Sequence, residues 1–254
     1  MKTIIKLIML LFMCLFIISC DTENSLDCTQ TAGELTEKIV DLEPFTRVVV
    51  YQRTRLVIKQ GPVQQVRIAT GANLMNEVLT SVVDGQLIIK NENGCNLIRD
   101  YGVTTVYITS PNLTEIRTST GEDIRSDGTL TYNDLTLLSE DTALEDEFNT
   151  DGDFRLSLNV QNLTIISNNL SNFYLDGTAQ NADFTFLDGD GTIKALDLVI
   201  QNAQIFHRGT NLWQLDVQQG ITGTISGYGN VALKQRPITV AVQELWRGRL
   251  VYLP

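Results

Sequence analysis

The sequence predicts an all-β protein: a β-solenoid, or β-helix-like coil, of stacked short strands with rungs of about 20 residues. The first observation is a repeat between Asn159 and Leu233. Gln161-Asn162-Leu163-Thr164-Ile165-Ile166, Gln180-Asn181-Ala182-Asp183-Phe184-Thr185-Phe186 and Gln201-Asn202-Ala203-Gln204-Ile205-Phe206 share a polar start and an alternating strand. The Gln residues lie 19 and 21 apart, and a degenerate fourth copy opens at Ile221, 20 residues after Gln201. The second observation is strict alternation, the period of a strand with two different faces. The third is a set of glycine turns at Asp176-Gly177, Asp188-Gly189-Asp190-Gly191, Gly209 and Gly227-Tyr228-Gly229, which supply the backbone freedom of sharp corners. One such unit cannot bury its apolar side alone, so neighbours must stack. An antiparallel sandwich with regular strand spacing is the alternative; the recurrent Gln-Asn pair favours the coil.

In chain order, residues 1–20 form a leader. Lys2 and Lys6 precede an unbroken apolar run, Leu7 to Ile18, shorter than the roughly 20 residues a spanning helix needs. The run ends in Ile17-Ile18-Ser19-Cys20, which resembles the lipobox of bacterial lipoproteins. That resemblance implies cleavage before Cys20, lipidation of that residue, and anchoring to a membrane through an N-terminal lipid. It implies a bacterial cell-envelope address, at the outer membrane. A plain secretory leader with a leftover Cys20 is the alternative. Residues 21–37 are polar and read as a tether.

The domain is expected over residues 38–237. Strands over 38–110 include Phe45 to Tyr51, Thr54 to Lys59, Gln65 to Thr70 and Val103 to Thr109, with a helical turn or two at Ala72 to Leu79. Ser81 to Lys90 carries an Asp84-Gly85 hairpin signal. Residues 111–237 hold the repeat rungs, with secondary strands at Phe173-Tyr174-Leu175, Ile193 to Leu196 and Leu212 to Leu215. Residues 238–254 read as a cap strand closing the coil's open end, because exposed edges invite aggregation.

Without the leader, which takes Lys2 and Lys6, 17 basic residues face 30 acidic ones, a net charge of −13. Such a surface repels phosphate backbones, which excludes nucleic acid as a partner. Once Cys14 and Cys20 are assigned to leader and lipid, Cys28 and Cys95 remain. Two thiols in an exported chain most simply form one disulfide.

Several stretches carry a family resemblance: Phe45-Thr46-Arg47-Val48-Val49-Val50, Val82-Val83-Asp84-Gly85-Gln86-Leu87-Ile88-Ile89, Val106-Tyr107-Ile108-Thr109-Ser110-Pro111-Asn112-Leu113-Thr114-Glu115-Ile116 and Ile225-Ser226-Gly227-Tyr228-Gly229-Asn230-Val231. The last two are the specific ones. Together they resemble the DUF2807 family, the head GIN domain of autotransporter adhesins, over roughly residues 40 to 237. The family's recurrent Ser-Gly-Ser-Gly turns are replaced here by Ser119-Thr120-Gly121, Ser139-Glu140-Asp141 and Leu187 to Gly191, the mark of a divergent member. The resemblance implies a β-helical fold, a cell-envelope location and an adhesive role, and it supplies no catalytic residues.

The residues themselves offer few candidates for chemistry, and no cofactor is expected. His207 is the only histidine, too few for a multi-His metal site; it reads as a solvent-facing or capping residue. Glu140, Asp141, Glu145, Asp146, Glu147, Asp151 and Asp153 crowd one stretch without a Lys or Arg, yet their spacing fits no calcium loop. Asp176, Asp197 and Asp216, 21 and 19 apart, are expected in one column and with Trp213 form the candidate ligand face. Trp213, Phe206, Tyr174 and Phe173 either stack on sugar rings or fill the interior.

The functional expectation is a lipid-anchored envelope protein with a non-catalytic binding or adhesion role toward a glycan or protein. A carbohydrate-active enzyme using the stacked aspartates and a periplasmic scaffold or sensor are the alternatives. An enzyme should place the aspartate column in a groove beside a basic residue; a binding protein should show an acidic or aromatic face without a pocket.

Overall fold

The structure, a computed structural model, describes residues 30–95, 100, 102–141 and 149–254. The leader, the lipidation site Cys20, Cys28 and the acids Glu145, Asp146 and Glu147 lie outside the described residues. The fold is all-β, as the alternation predicts: 17 strands among the described residues form one sheet that curls into an open half-barrel. The first strands are β1 (Leu35–Val40), β2 (Arg47–Tyr51), β3 (Thr54–Gln60), β4 (Gln65–Gly71), β5 (Val78–Val83) and β6 (Gln86–Asn91). They are followed by β7 (Thr104–Ser110), β8 (Glu115–Ser119), β9 (Ile124–Leu130) and β10 (Asp134–Ser139). Four long strands carry the repeat: β11 (Phe154–Ser167), β12 (Asn172–Phe186), β13 (Thr192–His207) and β14 (Trp213–Ile225). Three short ones complete the sheet: β15 (Val231–Leu233), β16 (Thr239–Glu244) and β17 (Leu250–Tyr252).

The pairing runs along two ladders. One contains β5, β6, β2, β8, β10, the second halves of β11 to β14, and β16. The other contains β1, β4, β7, β3, β9, the first halves of β11 to β14, β15 and β17. Every pairing is parallel except β1–β4, β4–β7 and β5–β6.

Parallel pairing at the repeat length sets like residues side by side. Leu163 lies beside Ala182 and then Ala203, and Ile165 beside Phe184 and then Ile205. The core is therefore a set of columns between the ladders. Phe154 and Phe173 stack with ring centroids 4.9 Å apart and planes 6° from parallel. Both are fully buried, each contributing about 2–3 kcal/mol by burial.

The Gln-Asn pairs do not start strands, as the sequence suggests, but sit inside them. At Gln161-Asn162 and Gln180-Asn181 two consecutive exposed residues interrupt the in–out alternation, so one continuous strand passes from one ladder to the other. Phe173-Tyr174-Leu175 and the Gln180 segment are thus parts of β12. Asp176-Gly177 likewise lies within β12 rather than in a turn. Asp84-Gly85 does form the expected hairpin: both have positive φ, 49° and 73°, the geometry a two-residue turn of that type needs.

Residues 30–37 are not free spacer. Gln30 is buried and its amide donates to the Asn73 carbonyl at 2.9 Å. The Ala72 N–H bonds the Glu34 carbonyl at 2.8 Å, and β1 pairs with β4 from Leu35 onward. Polar composition gives no sign of this because the partners lie some 40 residues away.

Gly177 explains one sequence choice and yields a prediction. Its φ is 104°, and a Cβ there would lie 1.9 Å from the Leu158 carbonyl oxygen. Gly177→Ala should cost about 2 kcal/mol or more by strain and clash. Gly85→Ala, with positive φ but nothing near its Cβ, should cost about 1 kcal/mol. Urea unfolding of both variants measures this; equal losses would show that the close backbone approach is not what requires glycine at 177.

Candidate functional site

Two grooves lie on the outer surface of the repeat, one per ladder. The larger, about 670 Å³, runs beside the bend. Parallel register places Asn162, Asn181 and Asn202 in one column that ends at Gly220. The Asn181 amide donates to the Asn162 side-chain oxygen at 3.0 Å, and the Asn162 amide donates to Asp134 at 2.6 Å. Donation from Asn162 and Asn133 holds the exposed Asp134 carboxyl below its ordinary range. Thr164, Asp183, Gln204 and Thr222 form a second outward column two residues further on. The result is a wall of amides, hydroxyls and one carboxylate that both donate and accept hydrogen bonds.

The smaller groove, about 490 Å³, contains two of the three predicted aspartates. Ser157, Asp176 and Asp197 align in register, next to a column of Arg155, Tyr174, Lys194 and Gln214. Asp176 and Asp197 are exposed. Arg155 lies 3.9 Å over the Tyr174 ring and pairs with Asp153 at 3.0 Å and Asp123 at 3.3 Å. Lys194 sits 5.1 Å from the same ring. The two cations flank Tyr174, so its ring is not a free stacking platform. An aspartate pair in a groove beside basic residues is the feature expected of the enzyme alternative.

Asp216 does not join them. The pairing shifts between Ala195 and Val199, which puts Asp216 beside Val199 instead of Asp197. It is 5% exposed, and Lys234 at 3.4 Å and the amides of Gln218 and Gln235 at 2.6 and 3.2 Å take up its charge. Trp213 leaves the expected ligand face altogether: it is fully buried, edge-on to Phe186 at 4.6 Å and stacked on His207 at 4.1 Å. Phe173 is also interior, whereas Phe206 faces outward.

Of the acidic stretch, Glu140 faces Arg117 at 3.4 Å, and Asp153 bonds Arg155 and the Asn172 backbone. Arg117 lies 23 residues from Glu140, beyond the reach of a local reading, whereas Arg155 is only two residues from Asp153. Among the described residues no three His, Cys, Asp or Glu side chains are grouped to hold a metal ion. The Asn column was visible in the sequence only as a repeat marker, and the basic partners Arg155 and Lys194 carried no motif.

His207 is not solvent-facing but fully buried. Its Nε2–H donates to the Asn211 carbonyl at 2.9 Å, while Nδ1 has no partner among the described residues. Burial pushes its pKa down to about 4, outweighing the hydrogen bond, which favours the charged form. A histidine whose folded pKa lies below the unfolded value of about 6.5 stabilises fully above that value and loses this contribution as pH falls toward 4. Unfolding free energy should drop by about 3 kcal/mol between pH 7 and 4 through this residue. His207→Phe should lack that component in urea titrations at the two pH values; an unchanged acid dependence would refute it.

The chain matches, over residues 44–237, the family model described as "Putative auto-transporter adhesin, head GIN domain". Among solved structures, a "putative adhesin" from Bacteroides fragilis NCTC 9343 is similar with a TM-score of 0.76 at 18% identity, covering 88% of this chain and 99% of that one. A "putative lipid binding protein" from Parabacteroides distasonis ATCC 8503 follows with a TM-score of 0.61 at 16% identity, covering 88% and 99%. A "putative adhesin" from Parabacteroides merdae ATCC 43184 has a TM-score of 0.59 at 18% identity, covering 88% and 98%. At these identities the likeness is one of fold. No curated protein matches. With some three-quarters of its length inside the family model, the chain belongs to the DUF2807 family, the auto-transporter adhesin head GIN domain.

Proposed function

We propose that this is a lipid-anchored protein of the bacterial cell envelope, at the outer membrane, whose β-solenoid binds a glycan or protein ligand in an adhesive, non-catalytic role. The observation that carries the reading is the larger groove. Its repeated amide and hydroxyl columns match a ligand rich in hydroxyls or amides, and they recur at the strand spacing of about 4.8 Å. Membership of an adhesin family supports the cell-surface or envelope address. Among the described residues no helix is long and apolar enough to cross a membrane, so the reading assigns the membrane link to lipid on Cys20. Cys95 is disulfide-bonded; we assign Cys28 as its partner, which fastens the tether to the domain. The net negative charge argues against nucleic acid.

A second reading is favoured by the smaller groove. Asp176 and Asp197, with Arg155 and Lys194 beside them, suit a carbohydrate-active enzyme. Against it, the two aspartates stand on neighbouring strands of one wall, whereas glycoside hydrolysis sets its carboxyl groups on opposite sides of the scissile bond.

A screen of glycans and matrix proteins against the purified chain tests both readings. Asn181→Ala with Asp183→Ala should weaken binding about tenfold, the loss of one or two net hydrogen bonds, while Asp176→Asn with Asp197→Asn should leave it unchanged. Release of reducing sugar that disappears in the second variant would move the assignment to the enzyme. For the address, Cys20→Ala should shift the protein out of the membrane fraction, and protease added to intact cells should cleave the wild-type domain. Retention in membranes would remove the lipid anchor. Protection until lysis would favour a periplasmic scaffold or sensor.

A further inference from the structure

Among the described residues both ladders end in strands with a single neighbour. In one ladder these are β5 and β16; in the other they are β1 and β17. At the C-terminal end the core columns run on into the last turn. Val240 and Val242 continue Ile221 and Gly223, and Leu250 and Tyr252 continue Val231 and Leu233. Ile221, Val231 and Leu233 are fully buried, yet Val240 is 36% and Tyr252 41% exposed, with no further strand over them among the described residues. Leu245 and Trp246 beside them are 63% and 56% exposed. At the opposite end the exposed Leu79 and Val83 on β5 and Leu35 and Ile39 on β1 lie on the outer face of the edge strands, and Val82 and Val40 continue the core columns of Leu87 and Val66.

The two ends differ in charge. Residues 234–254 carry Lys234, Arg236, Arg247 and Arg249 against Glu244, a net +3 in a chain whose net charge is −11. Residues 34–44 carry Glu34, Glu37, Asp41 and Glu43 against Lys38, a net −3, and Glu77 and Asp84 bracket β5.

We propose that a second copy of this chain stacks head-to-tail on the first, the β1–β5 end of one copy on the β16–β17 end of the other. This contact continues both ladders at once, β16 onto β5 and β17 onto β1. It satisfies the edge N–H and C=O groups and covers the open core columns of the C-terminal end. Charge selects the arrangement: two C-terminal ends meeting would oppose Arg236, Arg247 and Arg249 with their own copies, whereas head-to-tail contact sets basic edge against acidic edge. An anionic lipid surface would also attract the basic edge, but it offers no strand to pair with the free backbone. A heterologous contact of this kind does not close, so a third copy adds as the second did. The inference does not depend on what the grooves bind.

The full-length chain in membranes of expressing cells supplies the test, with Ser81→Cys in the middle of β5 and Ala241→Cys in the middle of β16, both exposed. A short bis-maleimide should produce a ladder of dimers, trimers and higher species from the double variant. It should give none from either single variant, and dimers only when the two single variants are co-expressed. Arg236→Glu with Arg247→Glu, or high salt, should abolish the ladder. Crosslinked dimers from Ala241→Cys alone would overturn the proposal in favour of C-terminal ends meeting. Absence of any ladder from the double variant would overturn it outright. If that absence came with charge-dependent binding to anionic phospholipid vesicles, the basic edge would belong to a lipid surface.

Discussion

Parallel backbone pairing between successive repeats is the constraint on which the rest of the structure depends. Because each repeat pairs with the next at a spacing of 19 to 21 residues, as in Leu163–Ala182–Ala203, whatever occupies a position recurs beside its equivalent. Inward positions become apolar columns, and outward positions become columns of one chemistry. The Phe154–Phe173 stack and the Asn162–Asn181 hydrogen bond are the same rule on opposite faces. The grooves follow without further invention, since each is the trough between two outward columns.

The rule is interrupted at several points, and one interruption sets where the carboxylates lie. The shift between Ala195 and Val199 moves Asp216 out of line with Asp176 and Asp197. There Lys234 pairs with it and the amides of Gln218 and Gln235 donate to it. A three-carboxylate column becomes a pair beside Arg155 and Lys194. The same repeat brings Trp213, Phe186 and His207 into one buried cluster, so the aromatic surface that a sugar-stacking face needs is used for packing. What remains outside is a wall of amides and hydroxyls in one groove and the Asp176–Asp197 pair with its basic neighbours in the other.

The ends of the ladders obey a different logic from the middle. At the N-terminal end the antiparallel strands β1, β4 and β5 fold back over the first turns, and residues 30–34 dock against a 3₁₀ turn at Ala72–Glu77. At the C-terminal end β16 and β17 extend the parallel pairing, and their apolar columns are uncovered among the described residues. Acidic residues gather at the first end and basic residues at the second, which gives the molecule polarity along its stacking axis.

The sequence alone determined the features that are local and periodic. Alternation fixed strands, the Gln-Asn recurrence fixed the repeat length, and Asp84-Gly85 fixed a hairpin, because each rests on neighbouring residues or on a constant spacing. Four short stretches were enough to reveal the family. Tertiary structure decided what depends on long-range register: that the Gln-Asn pairs are bends within continuous strands, that Gly177 lies under the Leu158 carbonyl, and that Asp216, Trp213 and His207 are buried while Asp176 and Asp197 share a groove. A slip of one or two residues in pairing changes a side chain's neighbours without changing any local pattern. Only the hydrogen-bonded ladder, closed between residues about 20 apart in sequence, specifies it.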